Sequence, residues 1–226
     1  MLVTEPDVAL TDYALCLLGL FFAYTIAKTR TKSPHLKRAL IAFFLTMSAA
    51  SFLGGTVHGF FATKGTISNT ILWTITMVNM GFVAFSVWLI AAEIIPKASR
   101  KAFVVFASTT LIFYEVIVLS VLRTFIVAII FMTLASIVLL TGFVLRYWLE
   151  RRMLWLYGIG GLLLTFVASG VQQLKISVHP VYFNHNALYH LIQAFALVTL
   201  FLVFKSILAT EQAAWGKSVR QKKKKK

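Results

Sequence analysis

Seven runs of about 20 mostly apolar residues recur along this chain, near 8–27, 38–62, 69–95, 102–122, 124–146, 153–174 and 184–208. A helix rises 1.5 Å per residue, so about 20 residues cross the ~30 Å hydrocarbon core of a bilayer. No water is available there, so a lone span must satisfy its backbone N–H and C=O groups internally, as a helix does. The runs predict an all-α membrane protein. Seven transmembrane helices occupy residues 1–209, and a basic tail follows over 210–226. Composition agrees, with 59% hydrophobic residues and a mean hydropathy of +0.85.

The basic residues give the bundle a direction. Five lie between Lys28 and Arg38, three between Lys97 and Lys101, three more are Arg146, Arg151 and Arg152, and eight follow from Lys205 onward. On a seven-span alternation these 19 share one side, and Lys64, Arg123 and Lys175 fall on the other. Lys and Arg accumulate on the cytoplasmic side, which predicts an N-terminus outside or lumenal and a cytosolic C-terminus. The net charge of +15 is then a topology signal, and the scatter of basic residues over loops and tail argues against nucleic-acid binding. The first run is read as a retained span, because Glu5 and Asp7 precede it and no basic n-region does.

The loops leave no room for a soluble domain, so any chemistry must lie among the helices. The lone Cys16 excludes an internal disulfide. The five closing lysines, Lys222 to Lys226, suit anionic lipid, at roughly 1 kcal/mol per residue near the surface. In a eukaryote, Lys223 and Lys224 also resemble a dilysine signal for retrieval to the endoplasmic reticulum. In a bacterium the expected location is the inner membrane.

Polar side chains gather in the outer half of the predicted bundle. His58 lies about four residues, or roughly 6 Å, before the outer end of helix 2. Asn184 is a good N-cap for helix 7, which places His185 in its first turn and His190 roughly 9 Å down. Asp12, Glu115, Gln172, Gln173 and Gln193 share this half, while the cytosolic half is mostly Leu, Ile, Val, Phe and Ala. Ser51, Gly54, Gly55 and His58 form one stripe of helix 2, and Asn186, His190 and Gln193 one stripe of helix 7. His185 stands about 140° around the helix from His190. Ionisable groups at membrane depth usually face a bundle interior or a water-filled cavity, and imidazole is the commonest metal ligand. The plainer expectation is that His58 and His190 make interhelical hydrogen bonds and that His185 faces interfacial water. Gly54 and Gly55 are read as packing positions, and Trp73, Trp148 and Trp155 as interfacial anchors.

The stretches Ser51–Gly59 (SFLGGTVHG) and Phe183–Gln193 (FNHNALYHLIQ), on seven spans, resemble the superfamily of alkaline ceramidases and progestin and adipoQ receptors. That family carries Ser-x-x-x-His on helix 2 and His-x-x-x-His on the last helix, where three histidines hold zinc and a metal-bound water attacks an amide. The resemblance implies zinc on His58, His185 and His190. This chain departs from the pattern at Gly54, four residues before His58, and at Asn186, four before His190. The family's acidic residue of helix 3 is also missing, since that helix offers Asn79 inside and Glu93 only at its cytosolic end.

Two functions follow. The first is an intramembrane zinc-dependent hydrolase of a lipid-like amide or ester. Asp12 or Glu115 would act as base, Ser51 as a catalytic polar contact, and Asn186, Tyr189 and Gln193 as binding contacts. The second is a non-enzymatic seven-span sensor or receptor with a polar histidine core. The expected partners are membrane lipids and a lipid-like substrate. A solute or proton pathway is disfavoured by the apolar cytosolic half, and a retinal Schiff base by Lys205, which lies at the cytosolic end of helix 7.

Overall fold

The computed structural model describes the backbone of residues 3–179 and 182–224, and side-chain surroundings through Thr210. It contains seven helices: α1 (Pro6–Lys28), α2 (Pro34–Phe60), α3 (Ile67–Ile94), α4 (Arg100–Ser120), α5 (Phe125–Glu150), α6 (Met153–Gln173) and α7 (His185–Lys224). Each of the first six, and α7 over His185–Thr210, is long and apolar enough to cross a membrane. The helix ends follow local chemistry. Pro6 and Pro34 open α1 and α2, where a missing N–H costs nothing. Thr66 and Ser99 accept backbone N–H bonds at the starts of α3 and α4. Asn184 Oδ1 accepts the N–H groups of Asn186 and Ala187 at the start of α7, as its residue type predicts. The α7 helix continues past Thr210, so the expected boundary between bundle and tail falls inside one helix. Lys225 and Lys226 of the expected lipid-binding end lie outside the described residues.

Contacts between helices run α1–α2–α3–α5–α6–α7 and back to α1, a closed ring of six. The α4 helix stands outside it, packed on α3 and barely touching α5. Burial agrees, with 61% of the most apolar window of α3 buried against 17% of that of α4. Cross-links define two ends of the ring. At one, Thr4 donates to the Gly59 carbonyl, Trp73 Nε1 to that of Arg123, and the Asn184 N–H to Asp7. At the other, Lys37 donates to Thr29, Arg146 to the Ile94 carbonyl, and Arg152 to Thr210. These will be called the histidine end and the basic end.

The core sits toward the basic end. Phe22 of α1 stacks on Phe201 of α7 with centroids 4.1 Å apart, and Phe44 of α2 meets both rings. Small residues bring α1 onto α2. A Cβ added at Gly55 would stand 2.9 Å from Asp12 Cβ and 3.2 Å from the Ala9 carbonyl, and one at Gly59 3.2 Å from Ala9 Cβ. Gly55 is thus a packing position, as expected, and Gly59 is another. The expected anchor Trp155 is instead a core residue, 4% exposed, with its indole N–H on Glu150. Trp148 is exposed, under the guanidinium of Arg151 at 4.5 Å.

Candidate functional site

The ring encloses a cavity of about 630 Å³ lined by all six of its helices and by nothing from α4. Small-molecule pockets usually measure ~300–1,000 Å³. The lining changes character along its length. The mouth, at the histidine end, carries Glu5, His58, Lys64, Asn69, Trp73 and Arg123. A polar belt of Asp12, Ser51, Asn186, Tyr189, His190 and Gln193 follows. Beyond it come Phe43, Val87, Ile90, Leu139, Leu200 and Phe204. Asn186 and Gln193 are about 10 Å apart along α7, and Gln193 and Phe204 about 17 Å, at 1.5 Å per residue. One leaflet contributes half of a ~30 Å hydrocarbon core, or about 15 Å, so the apolar section has the length of one acyl chain.

Two carboxylate–imidazole pairs build the polar part. In the belt, His190 of α7 reaches across to α1, its Nε2 3.3 Å from Asp12 Oδ1 and its Nδ1 3.0 Å from Thr11 Oγ1. The Thr11 hydroxyl also lies 2.9 Å from the Asp7 carbonyl and 3.0 Å from that of Val8, so it ties the His190 ring to the backbone of α1. Asp12 is 5% exposed and His190 8%. At the mouth, His58 Nδ1 donates to Glu5 Oε2 at 2.7 Å, with side chains 24% and 36% exposed. That bond, more than any other influence, holds the Glu5 carboxyl below the usual range. The backbone N–H of Glu5 also donates to the His58 carbonyl, which ties the chain before α1 to the end of α2.

Gly54 explains how an acid from α1 enters this site. A Cβ at Gly54 would lie 3.1 Å from Asp12 Oδ2, so the glycine leaves room for the carboxylate.

The cavity collects seven of the nine residues singled out from sequence: Asp12, Ser51, His58, Asn186, Tyr189, His190 and Gln193. It does not collect the other two. Glu115 belongs to α4, outside the ring, and packs beside Tyr114 against Gly81 of α3. Its carboxyl oxygens are buried without a hydrogen-bond partner, and it reaches no histidine. His185 is the first residue of α7 and does not line the cavity, as its angular offset from His190 implies. Asn79 is structural, donating to the Thr46 carbonyl.

The three-histidine zinc arrangement does not fit these residues. Among the described residues no three His, Cys, Asp or Glu side chains gather as metal donors. Both ring nitrogens of His190 already face protein partners, and one of His58 does.

Four contributors escaped the sequence reading. Thr11 looked like an ordinary helical threonine, Glu5 was used only as a charge before the first span, and Lys64 and Arg123 were used only as topology markers. The signal for the last two was their rarity, since the histidine end has three basic residues in all and two of them line the mouth.

The family of unknown function DUF6962 matches residues 8–209, and the chain belongs to it. No curated protein and no solved structure matches the chain.

Proposed function

We propose that this DUF6962 member is a seven-span membrane protein of the receptor or sensor type that binds a single-chain amphiphile within its helix ring. The observation that carries the reading is the order of the cavity lining: charged mouth, polar belt, then an apolar section as long as one acyl chain. An amphiphile matches that order, with its polar part beside Asp12, His190 and Gln193 and its chain toward Phe204. The reading keeps the lipid-like ligand implied by the resemblance to the ceramidase and adipoQ receptor superfamily, and it uses no metal.

The asymmetry of basic residues supports a histidine end at the outer or lumenal face and a basic end in the cytosol. A ligand would then enter from the outer side. Single cysteines at Thr66 and Ser99, with Cys16 replaced, should label with an impermeant reagent from opposite sides. Labelling from one side rejects this orientation.

The binding reading is tested by solvent extraction and mass spectrometry of the purified protein. The expected result is a stoichiometric single-chain amphiphile, lost from a Leu200→Trp variant that fills the apolar section. An unchanged lipid profile in that variant overturns the reading. One equivalent of zinc that His190→Ala removes, together with fatty acid released from an N-acyl amide, would replace it with the hydrolase.

A further inference from the structure

Taking amphiphile binding as its premise, we infer that the ligand carries an anionic head, a phosphate or a carboxylate, held at the cavity mouth by Lys64 and Arg123. Below that head it carries a hydrogen-bond donor that meets Gln193.

The two cations come from separate loops, between α2 and α3 and between α4 and α5, and both line the mouth. Neither forms an ion pair among the described residues. Among the described residues the Arg123 guanidinium makes one hydrogen bond, at 3.4 Å to the Leu119 carbonyl. Their loops are fixed in place by the first turns of α3. Asn69 Nδ2 donates to the Phe61 carbonyl at 2.6 Å, and Trp73 Nε1 to the Arg123 carbonyl at 2.7 Å. Asn69 and Trp73 are four residues apart, on one face of α3, and both line the mouth. The result is two cations without carboxylate partners, flanking one opening on a braced frame. The Glu5 carboxylate at the same mouth is bonded to His58. A guanidinium fork and an ammonium together suit an oxyanion.

Gln193 supplies the second, independent requirement. It is 6% exposed and lines the belt, and its amide oxygen is buried without a donor. A buried acceptor left unpaired costs free energy, and a ligand hydroxyl or amide N–H at that level removes the cost. The ligand class is then a one-chain lipid with an anionic head and a hydroxyl or N–H between head and chain. A neutral or zwitterionic two-chain phospholipid fits neither the mouth nor the single apolar section.

The test uses the full chain in neutral detergent and three oleoyl probes: lysophosphatidic acid, N-oleoylglycine and N-oleoylethanolamine. They share one chain and a donor, and differ as phosphate, carboxylate and uncharged heads. At least one anionic probe should bind about tenfold more tightly than the neutral one, the order of one charge-assisted hydrogen bond. The advantage should shrink in salt. Which anionic probe wins separates phosphate from carboxylate. Lys64→Ala with Arg123→Ala should bring the anionic probes down to the affinity of the neutral one. The Trp73 bond goes to the backbone of Arg123, so the mouth keeps that brace. Gln193→Leu should weaken all three probes while leaving the order of heads. Equal binding of charged and neutral probes, or a preference that survives the double variant, overturns the headgroup assignment and leaves amphiphile binding standing. Binding of none overturns both.

Discussion

The two carboxylate–imidazole pairs of this protein use the same chemistry at two depths. Glu5–His58 sits at the mouth, at 2.7 Å and partly exposed. Asp12–His190 sits one belt deeper, at 3.3 Å, with side chains 7% and 10% exposed. The shorter contact is the less consequential one. Water competes for both partners at the mouth, and exposed ion pairs contribute only ~0–1 kcal/mol. Inside the ring neither partner has that alternative, and removing one strands the other. The deeper pair also closes the seam between α1 and α7, the contact that completes the ring. Depth, more than distance, decides which pair holds the site together.

The largest expected effect comes from removing the deep imidazole. His190→Ala leaves Asp12 buried without its partner and should destabilise the protein by about 3–5 kcal/mol, read as a lower midpoint in a detergent unfolding titration. Asp12→Asn keeps a polar group of the same shape and should cost clearly less. Equal losses from the two would show that the charge of Asp12, which Asn lacks, carries the interaction and that shape does not.

Next comes the glycine that sets the depth of Asp12. Gly55→Val adds atoms where a Cβ already approaches Asp12 Cβ to 2.9 Å, so α1 must move. Overpacking of this kind costs about 1–3 kcal/mol. The same midpoint measures it, and a value equal to wild type would mean that the α1–α2 seam is loose.

Thr11→Val keeps the side chain's volume and removes the hydroxyl that hydrogen-bonds His190 Nδ1. One hydrogen bond is worth about 1 kcal/mol net, and this change should cost about that much. An unchanged midpoint would place the hold on His190 in Asp12 alone.

The smallest effect belongs to the mouth. Glu5→Gln should shift stability by less than about 1 kcal/mol at neutral pH. Its pH signature is more telling. The Glu5 carboxyl lies below its ordinary value because His58 donates to it. The pair's contribution is thus complete above the ordinary carboxylate range and disappears as pH falls through the lowered value. Stability should lose that small increment on acidification in the wild type and lack the step in Glu5→Gln. A step of the same size in both would assign it to another group.

Run length and helical periodicity carried much of this architecture. Each apolar run lies in a helix, because a run of that length has one way to satisfy its backbone in hydrocarbon. The stripes on α2 and α7 placed Ser51, His58, Asn186, His190 and Gln193 at one cavity, because helical spacing alone puts them on common faces. Asn184 caps α7 as its side chain predicts.

What the sequence left open is which helices neighbour which. Glu115 has the right depth and the right chemistry for the site, yet it stands outside the ring because α4 packs on α3 and barely touches α5. Local pattern is silent on that choice, since an apolar helix offers similar surface to lipid and to protein. Thr11 and Glu5 became partners of His190 and His58 only when α1 closed against α7 and α2. Lys64 and Arg123, 59 positions apart, meet at one opening only because α3 draws their loops together. Span count and helical faces follow from the period of the chain. Partners across helices depend on ring order, which is set by packing at Gly54, Gly55 and Gly59 and by the α1–α7 seam, contacts between residues far apart in sequence.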